Sequence, residues 1–395
     1  MSSKKRVLIV GGGTAGLSVM RNLHRKRTDL ELTIIEPSEK HYYQPLWTLV
    51  SGGIFPFSRS ERNFADFVPS DVNWIKDTVN TFEPEQNQVT LSNGKTIDYD
   101  FMVVAPGIQI DWSKIEGLTE TLGKNGVCSN YSKEHVPYSW ETMKYLKNGR
   151  ALFTFPSTPI KCAGAPQKVM YLAEETFRLN GVRNEIEVKF VSAGQAIFGV
   201  QKYRDALEKI IDERKINTLF RNDLIKVDGP SQTAYFKNLD SGEVTEEKFD
   251  MLHVSPPMSA PDFIKKSPLA NEAGWVDVDK FTTKHNKYPN VFSLGDASSL
   301  PNSKTGAAVR KQGPVLVEHL LAAIDGNQGH GKYNGYASCP LVTGRSTCIL
   351  AEFDYDGQPD ETFPFDQGKE RLSMLILKKH IIPFMYWNAM MRGYF

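Results

Sequence analysis

Cysteine is scarce in this chain. The four present in 395 residues, Cys128, Cys162, Cys339 and Cys348, are too few and too scattered for the disulfide framework of a small secreted domain, and none forms a CxxC or a zinc pair. A reducing compartment and no metal site are expected. An excess of charge is missing as well: the formal net charge is +1, and with no basic segment standing out, nucleic acid is excluded as the main partner. No run approaches the roughly 20 apolar residues that span a bilayer. Residues 1–5 lead straight into a strand pattern, so no export signal or transit peptide is expected there. What the chain does have is apolar mass. A hydrophobic fraction of 40% over this length fills two or three domain cores.

The stretch that organises the rest is Arg6 to Glu36. Val7-Leu8-Ile9-Val10 reads as a strand buried on both faces of a parallel sheet, residues 17–27 repeat apolar positions at helical spacing, and Leu32-Thr33-Ile34-Ile35 is a second strand stopping at Glu36. Gly11, Gly13 and Gly16 stand between the first strand and the helix. In such a βαβ unit the first glycine makes the tight turn, the second lets a pyrophosphate approach the backbone, and the third lets helix and strand pack closely. The helix N-terminus offers free N–H groups to the phosphates. Glu36 accepts hydrogen bonds from ribose hydroxyls and repels a 2′-phosphate. The pattern predicts dinucleotide binding, with a merely glycine-rich turn as the alternative.

Downstream, the loop from Pro37 to Pro45 leaves the strand's C-terminal end, where ligands lie in open α/β sheets. Gln44 there is either a cofactor contact or a surface glutamine. Residues 73–79 read as a strand whose last backbone groups pair with an adenine edge, residues 89–91 and 96–97 as a hairpin, and residues 100–107 as a buried strand ending in a turn. Residues 111–147 are expected to be a polar connector. Residues 150–156 open a second α/β unit, continued by a loop over 157–166, a helix over 167–179, a strand over 187–192 and a helix over 201–214. That strand exits into Ala193-Gly194-Gln195-Ala196-Ile197-Phe198-Gly199, which lacks the three-glycine phosphate turn, so no NAD(P)H site is expected. Residues 288–296 return to the first unit as a strand ending in Gly295-Asp296. A carboxylate at that place, far from the opening glycines, is where two-domain flavoproteins reach the ribityl chain and pyrophosphate. It turns dinucleotide into FAD, unless Asp296 is an ordinary turn aspartate. A helix over 307–323 aims its N-terminal dipole at the flavin ring, with Lys304 just ahead.

Cys162 lies between Lys161 and the start of a helix, a setting that lowers a thiol pKa; the bland alternative is a small buried residue in a glycine/alanine loop. Cys339 precedes Pro340-Leu341-Val342-Thr343-Gly344, also a loop, while Cys348 sits in the apolar run Cys348-Ile349-Leu350-Ala351 and reads as core. Residues 372–395 interleave aromatics and methionines with Lys378, Lys379 and Arg392, as interfacial helices do. A dimer seam or ordinary tail packing is the alternative.

Four stretches carry a resemblance. They are His41-Tyr42-Tyr43-Gln44-Pro45-Leu46-Trp47-Thr48-Leu49-Val50, Phe153-Thr154-Phe155-Pro156 with Lys161-Cys162-Ala163-Gly164-Ala165-Pro166-Gln167-Lys168, Ser338-Cys339-Pro340-Leu341-Val342-Thr343-Gly344, and Glu361-Thr362-Phe363-Pro364-Phe365-Asp366-Gln367. Over nearly its whole length the chain resembles the sulfide:quinone oxidoreductase family, particularly the branch that includes the mitochondrial enzyme. The resemblance implies an α/β fold of two Rossmann-like domains of the glutathione-reductase-like flavoprotein type, with an amphipathic C-terminal membrane-associating region. Residues 1–112 and 258–330 would form the FAD domain, 113–257 a second Rossmann-like domain without a nicotinamide site, and 331–395 the region carrying the second redox cysteine and the membrane- and quinone-facing helices. Cys162 and Cys339 match the redox pair. FAD contacts are implied at Thr14, Ala15, Glu36, Gln44, Val79, Asp296 and Lys304, beside Gly11, Gly13, Gly16 and the turn at Gly107. Cys128 falls near a third cysteine of other branches.

The implied activity is oxidation of hydrogen sulfide through a persulfide on the cysteine pair, with electrons passing by way of FAD to a membrane quinone, for which Phe384, Tyr386 and Trp387 are the suspected contacts. The sulfane sulfur goes to sulfite, a low-molecular-weight thiol or more sulfide. A membrane surface is the further partner, a homo-oligomer is left open, and the expected place is the cytoplasmic face of a bacterial inner membrane. Two alternatives stay open. A type II NADH:quinone reductase would need a second nucleotide turn, and a non-enzymatic flavin-binding interaction protein would have inert core cysteines.

Overall fold

The computed structural model of the chain describes residues 4–394; residues 1–3 of the start and Phe395 of the aromatic tail lie outside it. Strand β1 (Lys5–Val10), helix α1 (Thr14–Lys26) and strand β2 (Leu30–Ile35) form the opening unit. Val7, Leu8, Ile9 and Val10 are all buried, the state that an unbroken apolar run, as opposed to an alternating one, demands. With β3 (Asn73–Ile75), β4 (Phe101–Val104) and a much later strand, Val291–Ser293, they make a five-stranded parallel sheet in the order Val291–Ser293, β4, β1, β2, β3.

One expectation over this region is corrected. Residues 73–79 are two strands in two sheets, because Asp77 accepts the Thr78 N–H at 2.7 Å and the Ser92 hydroxyl, turning the chain. The chain resumes as Val79–Glu83 in a three-stranded antiparallel meander with Gln88–Leu91 and Thr96–Asp98.

The second sheet is also parallel and five-stranded. Its members are β5 (Val127–Cys128), β6 (Gly149–Phe155), β7 (Ile186–Ser192), β8 (Asn217–Phe220) and β9 (Met251–His253), in the order β5, β9, β6, β7, β8. Helices α2 (Ala165–Leu179) and α3 (Gln201–Glu213) belong to it. The supposed connector over 111–147 is therefore a second correction: it supplies β5 and a helix, Val136–Tyr145, with Val136, Ser139 and Met143 buried. Pro137 in that helix's first turn costs no hydrogen bond, so the proline that reads as a breaker is a starter.

Val291–Ser293, numbered β10, is followed by α4 (Gly306–Ile324), whose N-cap Thr305 accepts the Ala308 N–H at 3.2 Å. A hairpin of β11 (Ala337–Val342) and β12 (Cys348–Phe353) then wedges between the two cores. Strand periodicity divides it. Cys339, Leu341, Ile349 and Ala351 face the core of the second sheet, while Val342, Cys348 and Leu350 face that of the first.

The chain closes with a helix over residues 372–388 that is α at Leu372–Ile376, π at Leu377–Ile381 and α again at Ile382–Asn388. Pro383 explains the irregular middle, since its ring excludes a regular turn before it. No helix among the described residues is long and apolar enough to cross a membrane.

Candidate active site

Cys162 and Cys339 are separated by most of the second half of the chain, yet their side chains lie within hydrogen-bonding reach of one another. Two local features bring them together. The loop before α2 is pinned to the segment before α4 by the Cys162 N–H donating to the Lys304 carbonyl at 2.8 Å, and Cys162 itself takes the left-handed conformation at φ 54°. Such a backbone is unfavourable for a non-glycine residue and gathers at functional sites. From the other side, the β11 pleat turns Cys339 toward the same core, where Gly164 leaves room: a Cβ on Gly164 would collide with the Cys339 sulfur. Both cysteines are thiols in this structure.

The surroundings treat the two sulfurs unequally. Lys168, fully buried one turn into α2, places its Nζ 3.3 Å from the Cys162 sulfur. Lys378, equally buried on the π turn, adds its charge and donates to the Pro45 carbonyl at 2.9 Å. The Cys339 hydrogen bond, then these two ammonium groups, hold the Cys162 thiol well below its ordinary value. Cys339 is driven up, by donating a hydrogen bond to the Cys162 thiolate and by burial, so it keeps its proton. The Cys162 charge in turn keeps Lys168 protonated against the cost of burial, whereas Lys378 is pushed down to about 8 by burial and by Lys168. The arrangement is a stored thiolate with a proton donor beside it. Cys128 and Cys348, buried in apolar cores, are both pushed up to about 12 and are inert by the same criterion.

The glycine turn lies on the other side of Asp296. Gly11 takes φ +95°, and a Cβ there would strike the Ala105 carbonyl at 2.5 Å; a Cβ at Gly13 or Gly107 would meet nothing within 4 Å. A turn closed against the protein at Gly11 and open at Gly13 is the shape a pyrophosphate needs, so the residues fit FAD. Glu36 already accepts the Gly12 N–H at 2.7 Å and the Ser38 N–H at 2.8 Å, one per oxygen, which leaves each oxygen a lone pair for a ribose hydroxyl. Gly295 and Asp296 abut the start of α1, with a Gly295 Cβ 3.1 Å from Ala15. Burial raises the Asp296 carboxyl, opposed by Lys304 and Lys161, and Cys162 is close enough to push it up too. Lys304 donates to the Asp296 and Ser298 carbonyls at 2.8 and 3.1 Å. Asp296 and its lysines thus bridge the turn and the thiols.

Most expected positions gather here, and some do not. Thr14 and Ala15 open α1; Val79 is buried and begins the meander; Gln44 is exposed at the start of a short turn, where its backbone carbonyl accepts the Trp47 N–H. Lys161 is not what lowers Cys162: its charge pairs with Asp296, and burial brings it down to about 8. Of the suspected quinone contacts, Phe384 is 66% exposed. Tyr386 is buried on Thr14 and His41, and Trp387 packs on Phe67. Lys168, Lys378 and His41 were missed as participants. The signal for the two lysines was a cation adjoining an apolar helical run, Val169-Met170 after Lys168 and Leu375-Ile376-Leu377 before Lys378.

Residues 5–140 match the model of the pyridine nucleotide-disulphide oxidoreductase family. The chain is 48% identical to the mitochondrial sulfide:quinone oxidoreductase of Mus musculus over 98% of its own length and 86% of that protein's. It is 47% identical to the same-named protein of Dictyostelium discoideum, with the same coverage. Its fold superposes on the sulfide:quinone oxidoreductase of Aquifex aeolicus with a TM-score of 0.86 at 18% identity, covering 99% of this chain and 92% of that one. At that identity the superposition speaks for the fold, and the expected mixed α/β flavoprotein architecture holds. The two full-length relatives show more: the chain belongs to the sulfide:quinone oxidoreductase family.

Proposed function

We propose that this chain oxidises hydrogen sulfide at the Cys162–Cys339 pair and delivers the electrons to a quinone, with FAD in the Gly11–Gly16 turn. The observation that carries the chemistry is the unequal setting of the two thiols. In a disulfide between them, the better leaving group is the sulfur with the lower pKa, which is Cys162. Hydrosulfide therefore attacks the Cys339 sulfur: a new S–S bond forms there, the Cys162–Cys339 bond breaks, and its electron pair leaves on Cys162 as thiolate. Lys168 and Lys378 neutralise that charge where it appears. An acceptor, such as sulfite, a low-molecular-weight thiol or more sulfide, takes the outer sulfur and returns Cys339 to a thiol. Loss of two electrons and the Cys339 proton then restores the disulfide. The Gly11–Gly16 turn and Glu36 would hold FAD, which would supply the two-electron acceptor for that pair and its relay to the quinone.

The division into an FAD domain over 1–112 and 258–330, a second Rossmann-like domain over 113–257 and a C-terminal region belongs to the same proposal. So does attachment to a membrane surface, supported by the outward face of the C-terminal helix, where Leu372, Ile376, Ile381, Phe384 and Met385 are exposed beside Lys379. A groove of about 340 Å³ lined by Val50, Ile54, Phe55, Phe57 and Trp140 opens next to it. Phe55 there packs on His380, and the groove is the quinone's approach in this account. Relatives named as mitochondrial lend no support to the cytoplasmic face of a bacterial inner membrane. The proposal is kept at a membrane that holds quinone.

The test is substitution of each thiol. Cys162→Ser and Cys339→Ser proteins should keep yellow bound FAD and lose nearly all sulfide-dependent quinone reduction. A Cys339→Ser protein turning over at the wild-type rate would contradict the assignment.

A further inference from the structure

Tyr386 does not face the groove or the solvent. It reaches inward from the C-terminal helix to the glycine turn, where its hydroxyl lies 2.5 Å from His41 Nε2 and 2.8 Å from Thr14 Oγ1, while His41 Nδ1 lies 3.2 Å from the Gly12 carbonyl. The direction of each bond follows from chemistry. A carbonyl only accepts, so His41 carries its proton on Nδ1, and burial, which brings its pKa down to about 4, keeps it neutral. Nε2 is then an acceptor and takes the Tyr386 hydrogen. The Tyr386 oxygen accepts from Thr14. Gly12 and Thr14 are the two residues on either side of Gly13, the open position of the turn, and Thr14 starts α1, whose first N–H groups have no partner within the helix.

The rest of the tail grips the same helix. Met390 and Met391 are buried in the first core, Gly393 sits against the Arg21 carbonyl, and Arg25 stacks on the Tyr394 ring at 3.7 Å. Arg392 donates to the Asp66 carbonyl at 2.9 Å, and the Tyr43 and Tyr386 rings lie 4.2 Å apart.

We infer that the C-terminal segment is a clasp on the FAD turn, in which Tyr386, through Thr14 and His41, sets the turn's geometry, so that seating of the tail and retention of FAD are coupled. Because coupling is reciprocal, FAD also holds the tail down. The inference rests on the FAD reading above and adds to it that the outward-facing helix governs the cofactor's hold.

The experiment uses the full chain with its FAD. Tyr386→Phe keeps the ring and removes one hydroxyl, leaving Thr14 and His41 Nε2 unpaired. Flavin release, followed by the rise of free-flavin fluorescence after dilution, should become about ten- to hundredfold faster, while Ser373→Ala, exposed on the same helix, releases FAD at the wild-type rate. In the wild type, trypsin cleavage after Lys379 should be slower with FAD than after the flavin is stripped, and Tyr386→Phe should lose that protection. Wild-type release from Tyr386→Phe overturns the clasp. So does a tail cleaved equally fast with and without FAD, a readout that needs no variant. A wild-type chain that takes up no FAD would sink the parent reading and the clasp with it.

Discussion

Cys162 owes its chemistry to Cys339, its expected partner, and to two lysines that were not expected beside it. Its neighbour in sequence, Lys161, is spent on Asp296, and the thiolate is held by Cys339, Lys168 and Lys378. A thiol pKa below the ordinary range means that the reactive form persists as the pH falls from 9 toward neutrality, and a lost partner shows as a loss of reactivity on the acid side first. Lys168→Met, similar in length and uncharged, should raise the Cys162 pKa and move the midpoint of its alkylation by iodoacetamide to higher pH, slowing the reaction below that midpoint by about tenfold for each unit gained. The pH profile of alkylation, read peptide by peptide, checks this; superimposable profiles for wild type and variant would remove Lys168 from the site. The sequence made the cysteine legible through its position before a helix. It hid the lysines, because a cation inside an apolar helix face looks like a surface residue until the helix is docked.

The C-terminal helix shows what an element can do with two apolar faces. Met374, Leu375, Tyr386, Met390 and Met391 are buried in the first core, while Leu372 and Phe384 are 58% and 66% exposed on the far side. The π turn ahead of Pro383 carries Lys378 inward between them. The aromatic and methionine interleaving was readable as interfacial, but composition alone has no way of saying which aromatics face in, and the irregular turn defeats a 3.6-residue count. Ordinary tail packing and an outward apolar ridge are both realised in one helix. Removing residues 384–395 would strip both functions together, so single faces must be tested. Ile381→Ser with Phe384→Ser removes two exposed apolar side chains, and binding to phospholipid vesicles should weaken by about ten- to hundredfold with FAD content unchanged. Co-sedimentation with vesicles measures it, and equal binding would remove this face from membrane attachment.

At the scale of the molecule, two parallel sheets and one hairpin wedge accomplish the convergence. The opening βαβ unit was legible because three glycines, two apolar strands and a terminal acid sit in register. The return of Val291–Ser293 to that sheet was legible from the Gly295-Asp296 that follows it, whereas Cys339, read in a loop, lies in β11, whose pleat turns it one way and Cys348 the other through packing that local pattern does not fix. The strand over 73–79 was misread because the Asp77 side chain turns the chain inside an otherwise strand-like run, and the connector over 111–147 because β5 is two residues long and pairs with residues 252–253 far downstream. The fold sets the Cys162–Cys339 thiols and the glycine turn of α1 around Asp296, and the proposed function requires inorganic sulfur and a dinucleotide to share that one site. Anaerobic titration of the purified, FAD-loaded chain, followed by the flavin spectrum, addresses this most directly. The account predicts that stoichiometric sulfide bleaches the flavin band, that added quinone restores it, and that NADH leaves it unchanged; bleaching by NADH with none by sulfide would contradict it.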